Sequence, residues 1–150
     1  MRGERAVRVM AFGAFDVLHP GHVFFLSKAR RLGSELFVVV ARDSTVEKLK
    51  GRKPVFDEKA RLTLVQALKP VSRAVLGNEV EGESDFLEIV KKFKPAVVAL
   101  GYDQAVNARI LKKTLGKLGL KVKVVRLSPF KQNRFKSSLV KKLVKFSESA

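Results

Sequence analysis

The sequence predicts one α/β domain, doubly wound around a parallel sheet of about five strands. Three observations carry that expectation. Short valine- and leucine-rich runs alternate with longer stretches whose apolar residues recur at helical spacing. The first run ends in Gly13, and the next helical stretch opens with Pro20, as a strand turning sharply into a helix would. A length of 150 residues suits one core.

Taken in order, residues 7–12 read as the first strand and 21–32 as a helix that Gly33 terminates. Residues 36–41 are apolar throughout, as a strand buried on both faces requires. The polar segment 42–55 ends in Gly51-Arg-Lys-Pro54 and reads as a mobile loop. Asp57 caps a helix to Leu68, with Leu62, Val65 and Leu68 on its apolar face and Pro70 just beyond. Residues 72–76 form the third strand. Ser84 or Asp85 then caps a helix over 86–93, and 96–100 is a short buried strand. Residues 104–118 read as a helix, 122–127 as a strand and 137–146 as a last, basic helix. Each strand is followed by enough chain for a right-handed crossover, so the strands are expected to run parallel. Such sheets bind ligands at the carboxyl ends of their strands, where the strand order reverses. That edge would receive 13–22, 41–43, 101–104 and the segment after Leu127.

Net charge narrows the partners to anions without choosing among them. At +17 the chain attracts polyphosphates, nucleic acid and acidic membrane surfaces alike. From Arg109 onward Glu148 is the only acid, so the excess is concentrated toward the C-terminus. With no cysteine there is no disulfide, no thiolate nucleophile and no cysteine-based zinc site. No apolar run is long enough to span a membrane, and Met1-Arg-Gly-Glu-Arg lacks the apolar core of a secretory signal. A cytoplasmic location is expected.

The most informative segment is Gly13-Ala-Phe-Asp-Val-Leu-His-Pro-Gly-His22. A strand ending in glycine brings the backbone close to a ligand, and the following helix start offers unpaired N–H groups and a positive dipole end to an anion. With Pro20 at the first helical position, His19 and His22 project to one side of that start. Together these parts suit a polyphosphate. The plainer alternative is a glycine-containing turn with two satisfied surface histidines; it leaves unexplained why both of the chain's 2 histidines fall here. Asp16 can orient the turn by accepting backbone N–H bonds, or contact substrate or metal. Phe15 reads as packing, with its backbone near the nucleotide. In Gly101-Tyr-Asp-Gln104, which follows a buried strand, Asp103 is either a nucleotide contact or the N-cap of the helix from Gln104.

The segment resembles the signature of the cytidylyltransferase-like nucleotidyltransferases, G-[TS]-F-D-x-x-H-x-G-H, with Ala14 where a threonine or serine is usual. The missing hydroxyl leaves the backbone N–H in place. That resemblance implies a Rossmann-like fold in which His19 and His22 contact the phosphates and stabilise the transition state, without a covalent intermediate. It implies ATP-binding positions at Ala14, Phe15, His19, Pro20, Gly21, His22 and Asp103. Ser137-Ser-Leu-Val-Lys-Lys142 partly resembles the second signature of the family, which implies a β- and γ-phosphate contact for Ser137 and Ser138. Without the usual arginine there, the same segment also reads as a basic helix for RNA or an acidic partner. Lys53 and Arg61 stand where relatives place basic residues against the acceptor, and a solvated charge run is the alternative. Asp16 joins them as a candidate acceptor contact.

Further runs, Val40-Ala-Arg-Asp-Ser-Thr-Val46, Gly51–Pro54, Leu68-Lys-Pro-Val71 and Ala99–Gln104, look like those of the archaeal FAD synthetases, over roughly residues 7–127. The resemblance implies FAD biosynthesis by transfer of AMP from ATP to FMN, with release of pyrophosphate, a divalent metal ion, and a possible homodimer without nucleic acid or membrane partners. The residues by themselves reach only nucleotidyl transfer to a phosphate acceptor. Cytidylyl or adenylyl transfer to another acceptor, glycerol 3-phosphate, phosphopantetheine or nicotinamide mononucleotide, stays open, as does a non-catalytic nucleotide- or RNA-binding relative.

Overall fold

A computed structural model describes residues 5–79 and 83–129. Five strands, β1 (Arg8–Gly13), β2 (Glu35–Val40), β3 (Arg73–Leu76), β4 (Val97–Leu100) and β5 (Lys123–Arg126), form one parallel sheet in the order β3-β2-β1-β4-β5. Five helices connect or flank them: α1 (Pro20–Arg30), α2 (Asp43–Lys50), α3 (Glu58–Gln66), α4 (Glu83–Phe93) and α5 (Ala108–Lys117). The expected α/β class and strand number are what the chain adopts.

The alternation of side chains along β1 explains why the sheet is covered on both faces. Val9 and Ala11 enter a core with Leu26 and Ala29 of α1 and Val65 of α3. Met10 enters the opposite core with Ile89 and Val90 of α4 and Leu111 and Leu115 of α5. Met10 pairs with Phe37 of β2 on one side and Val98 of β4 on the other. The chain adds β2 and β3 to one flank of β1 and β4 and β5 to the other, so the strand order reverses between β1 and β4. Gly13 lies at the carboxyl end of that reversal.

Three boundaries differ from the sequence reading. Segment 42–55 is not loop throughout, because Asp43–Lys50 is helical and Gly51 ends it at φ +69. Only Thr45 and Val46 of α2 are buried, so packing alone does little to fix it. Instead Glu58 Oε1 accepts from the Asp43 N–H at 3.2 Å and holds the helix start. Second, α5 begins at Ala108 rather than Gln104, because Asn107 Oδ1 accepts from the N–H groups of Arg109 and Ile110 at 3.0 and 3.2 Å. Third, α4 begins at Glu83, which puts Ser84 and Asp85 within the helix rather than at its cap. The expected helix 137–146, with Ser137 and Ser138, lies outside the described residues. Among the described residues no helix is long and apolar enough to cross a membrane.

Candidate functional site

At the end of β1 the chain turns through a constrained backbone. A Cβ on Gly13 would lie 2.7 Å from the Phe15 ring, so only glycine lets that ring fold back beneath the turn. Phe15 is 4% exposed and adopts φ +51. A bulky L-residue holds that conformation at a cost of about 1–3 kcal/mol and only where surrounding contacts impose it. One such contact follows at once: the Asp16 carboxylate, 1% exposed, accepts from the N–H groups of Val55 and Phe56 at 2.9 and 3.0 Å. The two oxygens thus tie the turn to the segment before α3.

His19 is the N-cap of α1, extended at φ −145 and ψ 170. Its Nδ1 accepts from the Gly21 N–H at 3.0 Å, while His22 Nδ1 accepts from the His19 N–H at 3.3 Å. Two imidazoles therefore form the reciprocal cap usually made by a hydroxyl and a carboxylate. Their rings stack with centroids 3.9 Å apart, and the edge of Phe15 packs against His22. A neutral imidazole that accepts at Nδ1 carries its proton on Nε2, so the cap fixes each neutral ring as an Nε2–H donor. Burial holds the His19 pKa below its ordinary 6.5, with the Asp103 charge opposing in part. At neutral pH His19 is an uncharged donor.

Beyond β4, residues 101–106 form a turn shaped by two side chains the sequence reading did not single out. Gln104 Oε1 accepts from the Gly101 N–H at 2.8 Å, and its Nε2 donates to the Phe12 carbonyl of β1 at 2.7 Å. Arg126 of β5 donates to the carbonyls of Gly101 (2.7 Å), Gln104 (3.0 Å) and Val106. Asp103 is left exposed at the cleft rim. The spacing Gly101-x-x-Gln104 after a buried strand is the signal that could have pointed to this clamp.

Arg61, expected against the acceptor, is fully buried and does something else. Its guanidinium donates to the carbonyls of Ala14 (2.8 Å), Ala41 (2.7 Å) and Phe56 (3.0 Å) and to Asp43 Oδ1 (2.7 Å). It thereby joins the ends of β1 and β2, the start of α2 and the segment before α3. Lys53 is exposed on the loop after α2.

These parts surround a cleft of about 1580 Å³. Ala14, Phe15, Asp16, His19, Gly21 and His22 are among the residues that line it. Thr45, Val46 and Leu49 of α2 form one wall with Arg52, and 101–107 with Ile110 form the other. Pro20 borders an adjoining depression with His19. Neither Lys53 nor Arg61 is among the described cleft-lining residues. Sites for one drug-sized ligand span about 300–1,000 Å³, so this volume exceeds what one such ligand needs. Among the described residues, no group of three or more histidine or acidic side chains converges to hold a metal ion.

Residues 10–143 match the family described as Cytidylyltransferase-like. The chain belongs to that family. It is 52% identical over 124 residues to the FAD synthase of Aciduliprofundum boonei, covering 83% of this chain and 80% of that one. It is 46% identical to the FAD synthase of Thermoplasma acidophilum, over 92% of this chain and 94% of that one. A crystal structure of the lipopolysaccharide core biosynthesis protein from Thermoplasma volcanium GSS1 superposes with a TM-score of 0.77 at 46% identity. That match covers 83% of this chain and 98% of the other. The family suggested by Gly13–His22 is the family found, and curated FAD synthases are among its members most similar to this chain.

Proposed function

We propose that the chain transfers AMP from ATP to the phosphate of FMN, forming FAD and pyrophosphate. The observation that carries this reading is the stacked His19–His22 pair at the start of α1, lining the cleft. Similarity to FAD synthases supplies the acceptor.

In this reading a phosphate oxygen of FMN attacks the α-phosphorus of ATP in line, and the bond to pyrophosphate breaks as the new P–O bond forms. The acceptor phosphate is already an anion, so no general base is required. Charge grows on the α-phosphate and leaving-group oxygens, where the two Nε2–H donors and the N–H groups of the α1 start stabilise it. Burial suits His19 to that task by keeping it a neutral donor at working pH. Ala14 contributes a backbone N–H where most relatives add a hydroxyl, and Asp103 faces the nucleotide from the opposite rim. Ser137 and Ser138 are assigned to the β- and γ-phosphates. On the acceptor side the basic contact falls to Arg52, which lines the cleft, rather than to Lys53. Asp16 and Arg61 hold the walls in place. A divalent ion enters as part of the metal–ATP substrate.

Pyrophosphate release, measured with ATP and CTP against FMN, glycerol 3-phosphate, phosphopantetheine and nicotinamide mononucleotide, tests this. FAD formation from ATP and FMN is the expected result. Turnover with a different acceptor and none with FMN would reassign the substrate, and salt-sensitive RNA binding without transfer to any acceptor would overturn the enzyme reading.

A further inference from the structure

We infer that Gln104 is a positioning residue, whose side-chain amide is wedged into the ladder between β1 and β4 and holds open the crevice that takes the nucleotide; this rests on the ATP half of the reading above. β1 and β4 stay in register as far as Ala11 and Ala99. Along β1 the carbonyls of Val7 and Gly13 accept from Glu35 and Ala41 on the β2 side, whereas that of Arg8 accepts from Ala96 on the β4 side. By that alternation the Phe12 carbonyl faces β4. On β4 the Leu100 carbonyl accepts from Leu127, beyond β5, so the next residue, Gly101, turns its N–H toward β1. The next rung of the ladder would therefore run straight from the Gly101 N–H to the Phe12 carbonyl. The Gln104 amide occupies that rung instead: Oε1 accepts from the Gly101 N–H at 2.8 Å and Nε2 donates to the Phe12 carbonyl at 2.7 Å.

A primary amide offers the same donor and acceptor as a peptide group, so the inserted rung leaves neither backbone group unpaired. Two hydrogen bonds and an amide now span a gap that one bond of about 2.9 Å would close. The fold by itself would be served by that one bond, so what the amide adds is width. Its location gives the width a use. Strand order reverses between β1 and β4, and sheets of this kind bind their ligands in the crevice at that reversal. On the β1 side of the wedge Gly13 leads to His19 and His22; on the β4 side lies Asp103. Arg126 holds the second turn from the far side through the carbonyls of Gly101 and Gln104. The turn after β4 is thus propped away from β1 and tethered toward β5.

The test compares Gln104→Ala, which removes the wedge, with Gln104→Met, which keeps its length without its hydrogen bonds, both in the full chain. In Gln104→Ala the direct rung should form, seen by NMR as a coupling across the hydrogen bond between the Gly101 nitrogen and the Phe12 carbonyl carbon. Calorimetric titration with magnesium and ATP, without acceptor, should then show affinity about tenfold weaker, the worth of one displaced contact to a charged ligand. KM for ATP should rise alike while KM for FMN holds. The melting temperature of Gln104→Ala should stay within about 4 °C of the unaltered chain, because both backbone groups regain a partner. Gln104→Met should bind ATP within about threefold of the unaltered chain yet melt below Gln104→Ala, since it props the strands apart and leaves both groups unpaired. Unchanged ATP affinity in Gln104→Ala overturns the inference, as does absence of the direct rung or failure of that variant to fold. So does an equal loss of ATP affinity in both variants, the mark of a residue that only ties the turn. An unaltered chain that binds no ATP overturns the nucleotide reading, and this inference with it.

Discussion

Asp16 and Asp103 each lie a few residues past a glycine at the end of adjacent strands, β1 and β4, yet one is 1% exposed and the other stands in solvent at the cleft rim. Backbone donors account for the difference. Val55 and Phe56 bring their N–H groups to Asp16, so its charge is satisfied inside the protein and fixes a strained turn. Around Asp103 the turn is instead held by Gln104 and Arg126, which leaves the carboxylate to act through its field on His19. The turn after β1 is braced by its carboxylate; the turn after β4 is braced by its neighbours and presents one.

Stability measurements give the widest separation between the two. Asp16→Ala leaves two N–H groups without their charged acceptor and should cost about 3–4 kcal/mol in urea unfolding, whereas Asp103→Ala should stay within about 0.5 kcal/mol. Equal losses would erase the distinction. Activity next probes the histidine pair between the two turns. His19→Ala or His22→Ala should lower kcat about 10²–10³-fold, the effect of removing one preorganised donor, and a fall of under tenfold would remove the rings from the chemistry.

Finer effects concern protons. Asp103 raises the His19 pKa, so Asp103→Asn should move the His19 titration, followed by NMR of its ring protons, to lower pH. No movement would disconnect the rim from the pair. The smallest effect is on stability. Because the folded His19 pKa lies below 6.5, the ring is neutral in both states at higher pH and its contribution is then complete. As pH falls below 6.5 the unfolded chain binds the proton first, and stability drops until the folded pKa is passed. His19→Asn, which keeps an N-cap acceptor without titrating, should therefore lose less melting temperature between pH 8 and pH 5 than the unaltered chain.

The strands and the signature were legible in the sequence because their information is local. Apolar runs such as Leu36–Val40 declare two-sided burial, and Gly13, Pro20 and the histidines declare a turn and a helix start. What escaped depends on partners distant in sequence. α2 looks like loop because its start is fixed by Glu58 and Arg61; Gly51, read as loop, is its left-handed stop, preceded by basic Lys48 and Lys50. Asn107 before an apolar-periodic stretch was a readable cap that the Gly101–Gln104 likeness obscured. A fully buried arginine is rare, so nothing in the local pattern around Arg61 set it apart from solvated neighbours such as Lys59.

Arg61 carries a practical lesson for mutagenesis. Its guanidinium is the keystone between four segments, three of which supply residues to the cleft, so truncating it would collapse architecture and turnover together. A saturation screen scored on product alone would rank Arg61 beside His19. Dividing product by the amount of folded protein recovered tells the keystone from the reagent.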